Sequence, residues 1–129
     1  GFMASFGIPL ETNTHEQNAF EAGLEIITKI KELGSRGVIP KTRVGIGIHS
    51  GDVITGNIGN DIRKQYSIAG TTVITAARLE QLNKQFSTQF LLTKEFLSKI
   101  HTNGQVLESL GEVTIKGFEK PVEVMCVKV

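Results

Sequence analysis

The chain has 129 residues, 40% hydrophobic and 21% charged, the composition of one soluble globular domain and not of a disordered segment. Its 14 basic and 13 acidic side chains leave a net charge of +1, and seven Phe, one Tyr and no Trp give little for base stacking, so a nucleic-acid partner is not expected. Cys126 is the single cysteine, which excludes an intrachain disulfide and fits a reducing compartment, and no apolar run approaches a membrane span.

From the first residue, Phe2, Ala4 and Phe6 alternate with smaller neighbours and predict a short strand ending at Gly7-Ile8-Pro9. A chain that opens on a strand suggests a boundary inside a longer protein. Asn13 or Thr14 is positioned to cap a long helix with Ala19, Ala22, Leu24, Ile26, Ile27, Ile30 and Leu33 at helical spacing, stopped by Gly34, Gly37 and Pro40. Strict alternation through Arg43–His49 predicts a strand with Val44, Ile46 and Ile48 on one face. After Ser50-Gly51 the run Asp52–Thr55 follows, and the pair reads as a hairpin.

The segment Gln65–Glu80 is the richest in chemistry. A β-prone run, Tyr66-Ser67-Ile68-Ala69, meets Gly70, and Thr71 or Thr72 is placed to cap the helix that follows. Orphan N–H groups and the positive end of the dipole make such a helix start a natural anion site, with Arg78 about two turns in and Ile74 one turn before it on the same face. On pattern alone, an arginine there is more often solvated surface. Val73, Ala76, Leu79, Leu82 and Phe86 form the stripe that should meet a sheet.

Phe90-Leu91-Leu92 then predicts a buried strand, Lys94–Ile100 a short helix, and Val106–Leu110, Val113–Ile115 and Val122–Val129 the closing strands. The expected class is α+β, with one mixed sheet and helices on a face. Gly51, Gly56 and Gly59 lack a following Gly-Lys-Ser/Thr, which argues against a Walker loop.

Several motifs in order carry a resemblance: Gly1-Phe2-Met3-Ala4 with Phe6-Gly7, Val44–Gly51, Gly56-Asn57-Ile58-Gly59, Tyr66–Gly70 leading into Thr72-Val73 and Ala76–Glu80, Leu110–Val113, Ile115-Lys116-Gly117-Phe118, and Pro121-Val122. The chain resembles the catalytic domain of class III nucleotidyl cyclases, the adenylate and guanylate cyclases, over nearly its whole length. The resemblance implies a ferredoxin-like α+β core and attack of a ribose 3′-hydroxyl on the α-phosphate of the same ATP or GTP, releasing pyrophosphate. It also implies two Mg²⁺ or Mn²⁺ ions on two aspartates, and a homodimer, or a pairing with a second cyclase domain, whose sites lie at the interface.

Residue by residue, Arg78 matches the family's transition-state arginine, a role that in phosphoryl transfer contributes on the order of 10³–10⁵ in rate. Lys116 matches the lysine that holds the terminal phosphates, and otherwise reads as an exposed strand lysine. Ser67 stands where the family reads the purine; a serine hydroxyl accepts much as threonine does, which favours adenine over guanine. Thr71, at the helix start, joins these as a substrate-binding residue. His49 has no nearby ligand partner in sequence and reads as packed or surface histidine; Asp52 reads as a turn carboxylate and Cys126 as a small buried hydrophobe.

Two departures stand out. Ile74 takes the place of an asparagine that orients the ribose or the reacting phosphate, and losing one such donor typically costs about 10²–10³ in turnover. Both metal-holding aspartates and the lysine that assists purine selection match positions upstream of Gly1, as do the first strand, the helices after it and the second strand. Residues 1–129 therefore read as the C-terminal portion of one cyclase homology domain with no metal residues of its own. Its exposed strand edges are expected to drive pairing with a second copy, and the fragment alone is expected to be inactive. The readings are a piece of an adenylate-type cyclase, a non-catalytic dimerisation or nucleotide-sensing module, and, more weakly, a generic ferredoxin-like binding domain. A cytoplasmic location is expected for the domain, whether its parent is soluble or membrane-anchored.

Overall fold

A computed structural model describes residues 1–8, 13–51, 54–59, 64–115 and 120–129, with the backbone alone described for 54–59 and 64–69. In chain order the elements are α1 (His15–Ser35), β1 (Ile46–Ile48), β2 (Ile54–Gly59), β3 (Lys64–Ala69), α2 (Thr71–Phe86), β4 (Phe90–Thr93), α3 (Lys94–Leu97), β5 (Leu107–Val113) and β6 (Val122–Val127). Four strands form a mixed sheet in the order β1-β4-β6-β5, and β2 pairs with β3 in a separate two-stranded sheet.

The core of the sheet is β4. It runs parallel to β1, with Ile46 opposite Phe90, and antiparallel to β6, with Leu91 opposite Cys126. Phe90, Leu91 and Leu92 are all fully buried. Consecutive apolar residues point to opposite faces, so such a strand needs a cover on both. Phe90 and Leu92 meet Phe20 and Ile27 of α1, together with Phe96 of α3; Leu91 meets Leu79 of α2 with Ile115, Val124 and Cys126. The sheet is thus covered on both faces, not on one as the sequence pattern alone suggested.

Two glycines set the closeness of these layers. A Cβ on Gly23 would lie 2.7 Å from the Phe90 ring, and one on Gly47 would lie 2.6 Å from the Ala76 carbonyl oxygen. Backbone of α2 therefore rests directly on β1. Phe20 and Phe90 pack tilted, with ring centroids 5.8 Å apart.

Several expectations are corrected. Residues 1–7 form no strand, and Phe2 is 85% exposed; an alternating pattern needs a neighbouring ladder, and no described strand pairs with this segment. Of the run after Ser50, Asp52 and Val53 lie outside the described residues, and Ile54 and Thr55 pair with Ala69 and Ile68, not with β1. Instead β2 extends through Gly56 to Gly59 and makes its hairpin with β3, Gly56 lying opposite Ser67, while β1 pairs with a strand 44 residues further on. Alternation identifies a strand and is silent on its partner.

Val113–Ile115 is not a strand of its own. β5 runs continuously to Val113 through a bulge between Ser109 and Glu112, where three steps oppose two on β6 and Gly111 takes φ +83°. The short helix ends at Leu97, earlier than expected.

Candidate functional site

The site is built on α2, whose start differs from the sequence reading. Gly70 is the N-cap, at φ 128°, so the capping position falls one residue before Thr71 and two before Thr72. A residue with no Cβ turns the chain from β3 into α2 in a backbone conformation that L side chains rarely adopt. Thr71 becomes the first helical residue, exposed, and its carbonyl oxygen accepts from Thr75 Oγ1 at 2.8 Å.

The inner face of the helix is anchored by Leu79, fully buried, and by Asn83. Asn83 Nδ2 donates to Ile46 O at 3.0 Å and to Glu80 O at 3.1 Å, while Thr88 Oγ1 donates to Asn83 Oδ1 at 2.9 Å. One buried amide thus ties α2 to β1 and to the turn after it.

The opposite face carries Thr71, Ile74, Arg78, Gln81 and Gln85, all exposed and spaced alternately by three and four, so they form one stripe. Arg78 Nη1 donates to Gln81 Oε1 at 3.1 Å. Along this stripe lies a shallow, open depression of about 420 Å³ lined by Arg78, Gln81, Leu82 and Gln85 of α2 and by Thr114 and Ile115 just past β5. Leu82 and Ile115 belong to the core beneath it, which gives the depression an apolar floor and a polar, cationic rim.

Of the residues singled out from sequence, Thr71, Ile74 and Arg78 share the stripe. Ser67 lies in β3, which leads through Gly70 into α2, and only its backbone is described. Lys116 lies outside the described residues, directly after Ile115 in the chain, and Asp52 is outside them too. Gln81 and Thr114 were not anticipated; i,i+3 spacing from Arg78 is the only signal that points to Gln81.

His49 belongs to a different network. Its Nδ1 is 2.9 Å from Thr93 Oγ1, and that oxygen accepts from Phe96 N, capping α3. Burial pulls the His49 pKa below its usual 6.5, opposed by the Glu95 carboxylate and reinforced by Lys99. Cys126 is buried in the sheet, and burial, with a smaller opposing effect of Lys128 and a further push from Glu108, raises its thiol pKa. Both match packed residues rather than ligands or nucleophiles. Among the described residues no three His, Cys, Asp or Glu side chains converge as a metal site. No helix among them is long and apolar enough to cross a membrane.

The mixed sheet and the arginine-bearing helix are those of a nucleotide cyclase fold: residues 1–128 match the adenylate and guanylate cyclase catalytic domain, and the chain belongs to that family. It is 31% identical over 92 residues to adenylate cyclase 1 of Rhizobium meliloti, an alignment covering 69% of this chain and 14% of that protein. Among solved structures it resembles the adenylyl cyclase CyaB from P. aeruginosa, with a TM-score of 0.78 and 26% identity, over 96% of this chain and 65% of that one. The guanylyl cyclase Cya2 gives 0.74 and 27%, over 95% of this chain and 62% of that one. The chain spans about a fifth of the length of the curated relatives it matches first.

Proposed function

We propose that this chain is the C-terminal portion of a nucleotide cyclase domain, and that the complete domain converts ATP to 3′,5′-cyclic AMP and pyrophosphate. The observation that carries the reading is the arginine stripe. Arg78 is exposed at the rim of the depression, and the chain runs out of that depression through Ile115 into Lys116. A guanidinium there supplies fixed positive charge for the α-phosphate as the 3′-oxygen bonds to it and pyrophosphate departs; it need not give up a proton, since arginine stays protonated. Lys116 would hold the terminal phosphates as a point charge, Ser67 would accept from the adenine amino group, and Thr71 would face the nucleotide from the first turn of α2.

The divalent ions implied by the family would neutralise phosphate charge when bound, on aspartates that no residue of 1–129 matches. Residues 1–129 alone are therefore expected to make no cyclic nucleotide. A second cyclase domain, in a homodimer or a heterodimer, would complete the site across the exposed face of α2. Nucleotide chemistry and the free Cys126 favour a cytoplasmic setting.

A second reading rests on Ile74, 50% exposed on the same stripe one turn before Arg78. An aliphatic side chain offers nothing to a ribose hydroxyl or a phosphate oxygen, and that favours a module which dimerises or senses nucleotide without turnover. The test is cyclic-nucleotide production by the chain extended with its upstream sequence, assayed with Mn²⁺ and ATP or GTP. Product from ATP that disappears with Arg78→Ala supports the enzyme. Inactivity with both nucleotides alongside normal dimerisation defeats it and leaves the module. Product from residues 1–129 alone, lost on Arg78→Ala, overturns the expectation of inactivity.

A further inference from the structure

The depression has a second polar group tied to Arg78, and the chemistry of that contact fixes its orientation. A guanidinium only donates, so the Gln81 atom 3.1 Å from Arg78 Nη1 is the amide oxygen. The Gln81 NH₂ group is then turned to the other side of the same amide plane, with two N–H donors at the rim of the depression that both residues line. The hydrogen bond also engages one end of the guanidinium and leaves its remaining N–H groups for another acceptor. Without it, Arg78 is a long exposed side chain that must give up rotamer freedom each time it meets a ligand.

We propose that Gln81 is the positioning residue of the Arg78 guanidinium, and that its amide N–H groups and the guanidinium form one donor fork for a phosphate oxyanion in the depression between α2 and the end of β5. The proposal rests on the phosphate-handling reading of Arg78. It adds a residue that the arginine works through, and a second set of donors to the phosphate oxygens that Arg78 meets. The rim carries a positive charge and neutral amides, with no carboxylate among its described lining residues, which suits an anion.

The test uses inorganic pyrophosphate at low ionic strength, titrated into the 129-residue chain and followed by the NMR signals of Arg78 Nε–H and the Gln81 side-chain NH₂. Both signals are expected to shift together and saturate with one affinity. Gln81→Leu should weaken pyrophosphate binding about tenfold and move the unliganded Arg78 Nε–H signal toward that of a free arginine. Gln81→Glu separates the two roles: its carboxylate still accepts from Arg78, so the Arg78 signal should keep its position. Affinity should nonetheless fall at least as far as in Gln81→Leu, because a donor has become a negative charge. Leu and Glu are good helix formers at an exposed position, so circular dichroism should show α2 intact in both.

Arg78→Ala tells this proposal from the one beneath it. Loss of binding in Arg78→Ala with unchanged affinity in Gln81→Leu overturns the role of Gln81 and leaves Arg78 standing. Unchanged affinity in Arg78→Ala, or no binding by the unaltered chain, overturns both.

Discussion

The two faces of α2 obey different rules. The inner face is pressed backbone to backbone onto β1 at Gly47 and pinned by the amide of Asn83, whereas the outer face carries Ile74, Arg78 and Gln81 into solvent with one side-chain hydrogen bond between them. Residues on the first face set where the helix sits; those on the second decide what it meets. The contrast teaches that the catalytic reading depends on a platform whose own residues carry no catalytic chemistry, and it can be broken or sharpened by substitutions on either side.

The largest effect is expected at Gly47. A Cβ there would lie well inside van der Waals contact of Glu80 N, 2.6 Å from Ala76 O and 2.8 Å from Leu79 Cβ. Two of these are helix backbone, which cannot rotate away, so α2 must lift from the sheet. Gly47→Ala should cost about 3 kcal/mol, the upper end for overpacking, measured as a fall in the urea midpoint at constant slope. A loss under about 1 kcal/mol would mean the two layers are not in direct contact.

Asn83→Ala comes next. The side chain is 5% exposed and fills two carbonyl acceptors and one hydroxyl donor, and its removal leaves Ile46 O and the Thr88 hydroxyl short of partners. The expected cost is about 2–3 kcal/mol, read from chemical denaturation. Asn83→Asp should do no better, since a carboxylate facing two carbonyl oxygens has nothing to donate.

These two positions also mark where sequence reasoning stopped. The apolar stripe through Leu79, Leu82 and Phe86 follows from helical spacing, and all three pack on the sheet side. Asn83 sits in that same stripe, yet a polar residue there reads as solvent-facing until its partner is known, and Ile46 O is 37 residues away in the chain. Likewise Phe90-Leu91-Leu92 signalled a buried strand, but only the packing of α1 and α3 on one face and α2 on the other shows what covers it. The misassigned hairpin has the same origin: local pattern carries the type of an element, and long-range pairing lies beyond it. On the outer face, the register of Ile74 and Arg78 was legible from their spacing of four. Gln81 was not, because an exposed glutamine has no pattern until a donor is found against it.

His49 tests the support behind the start of α2. It precedes Ser50-Gly51, and a Cβ on Gly51 would stand 2.6 Å from Thr72 Oγ1, so this loop abuts the first turn of the helix. Burial lowers the His49 pKa in the folded chain below the usual 6.5, so the unfolded chain binds the proton more tightly. The stabilisation is therefore present above pH 6.5 and is lost as the pH falls toward the folded-state pKa. His49→Asn keeps a polar atom near the Nδ1 position and cannot titrate there. Stability of the unaltered chain should drop as the pH falls below 6.5 more steeply than that of His49→Asn, and identical slopes would remove His49 from the explanation.

The smallest expected effect on stability is on the outer face. Ile74→Ala loses part of a side chain that is already 50% exposed and gains the better helix former, so the two terms oppose. Arg78→Ala removes a single exposed hydrogen bond to Gln81. Each should change unfolding free energy by less than about 0.5 kcal/mol. Both substitutions should leave the melting curve nearly unmoved, yet Arg78→Ala should abolish pyrophosphate binding and Ile74→Ala should not. If Ile74→Ala instead destabilised by more than about 1 kcal/mol, the stripe would be packed against something, and the outer face of α2 would belong to the platform rather than to the site.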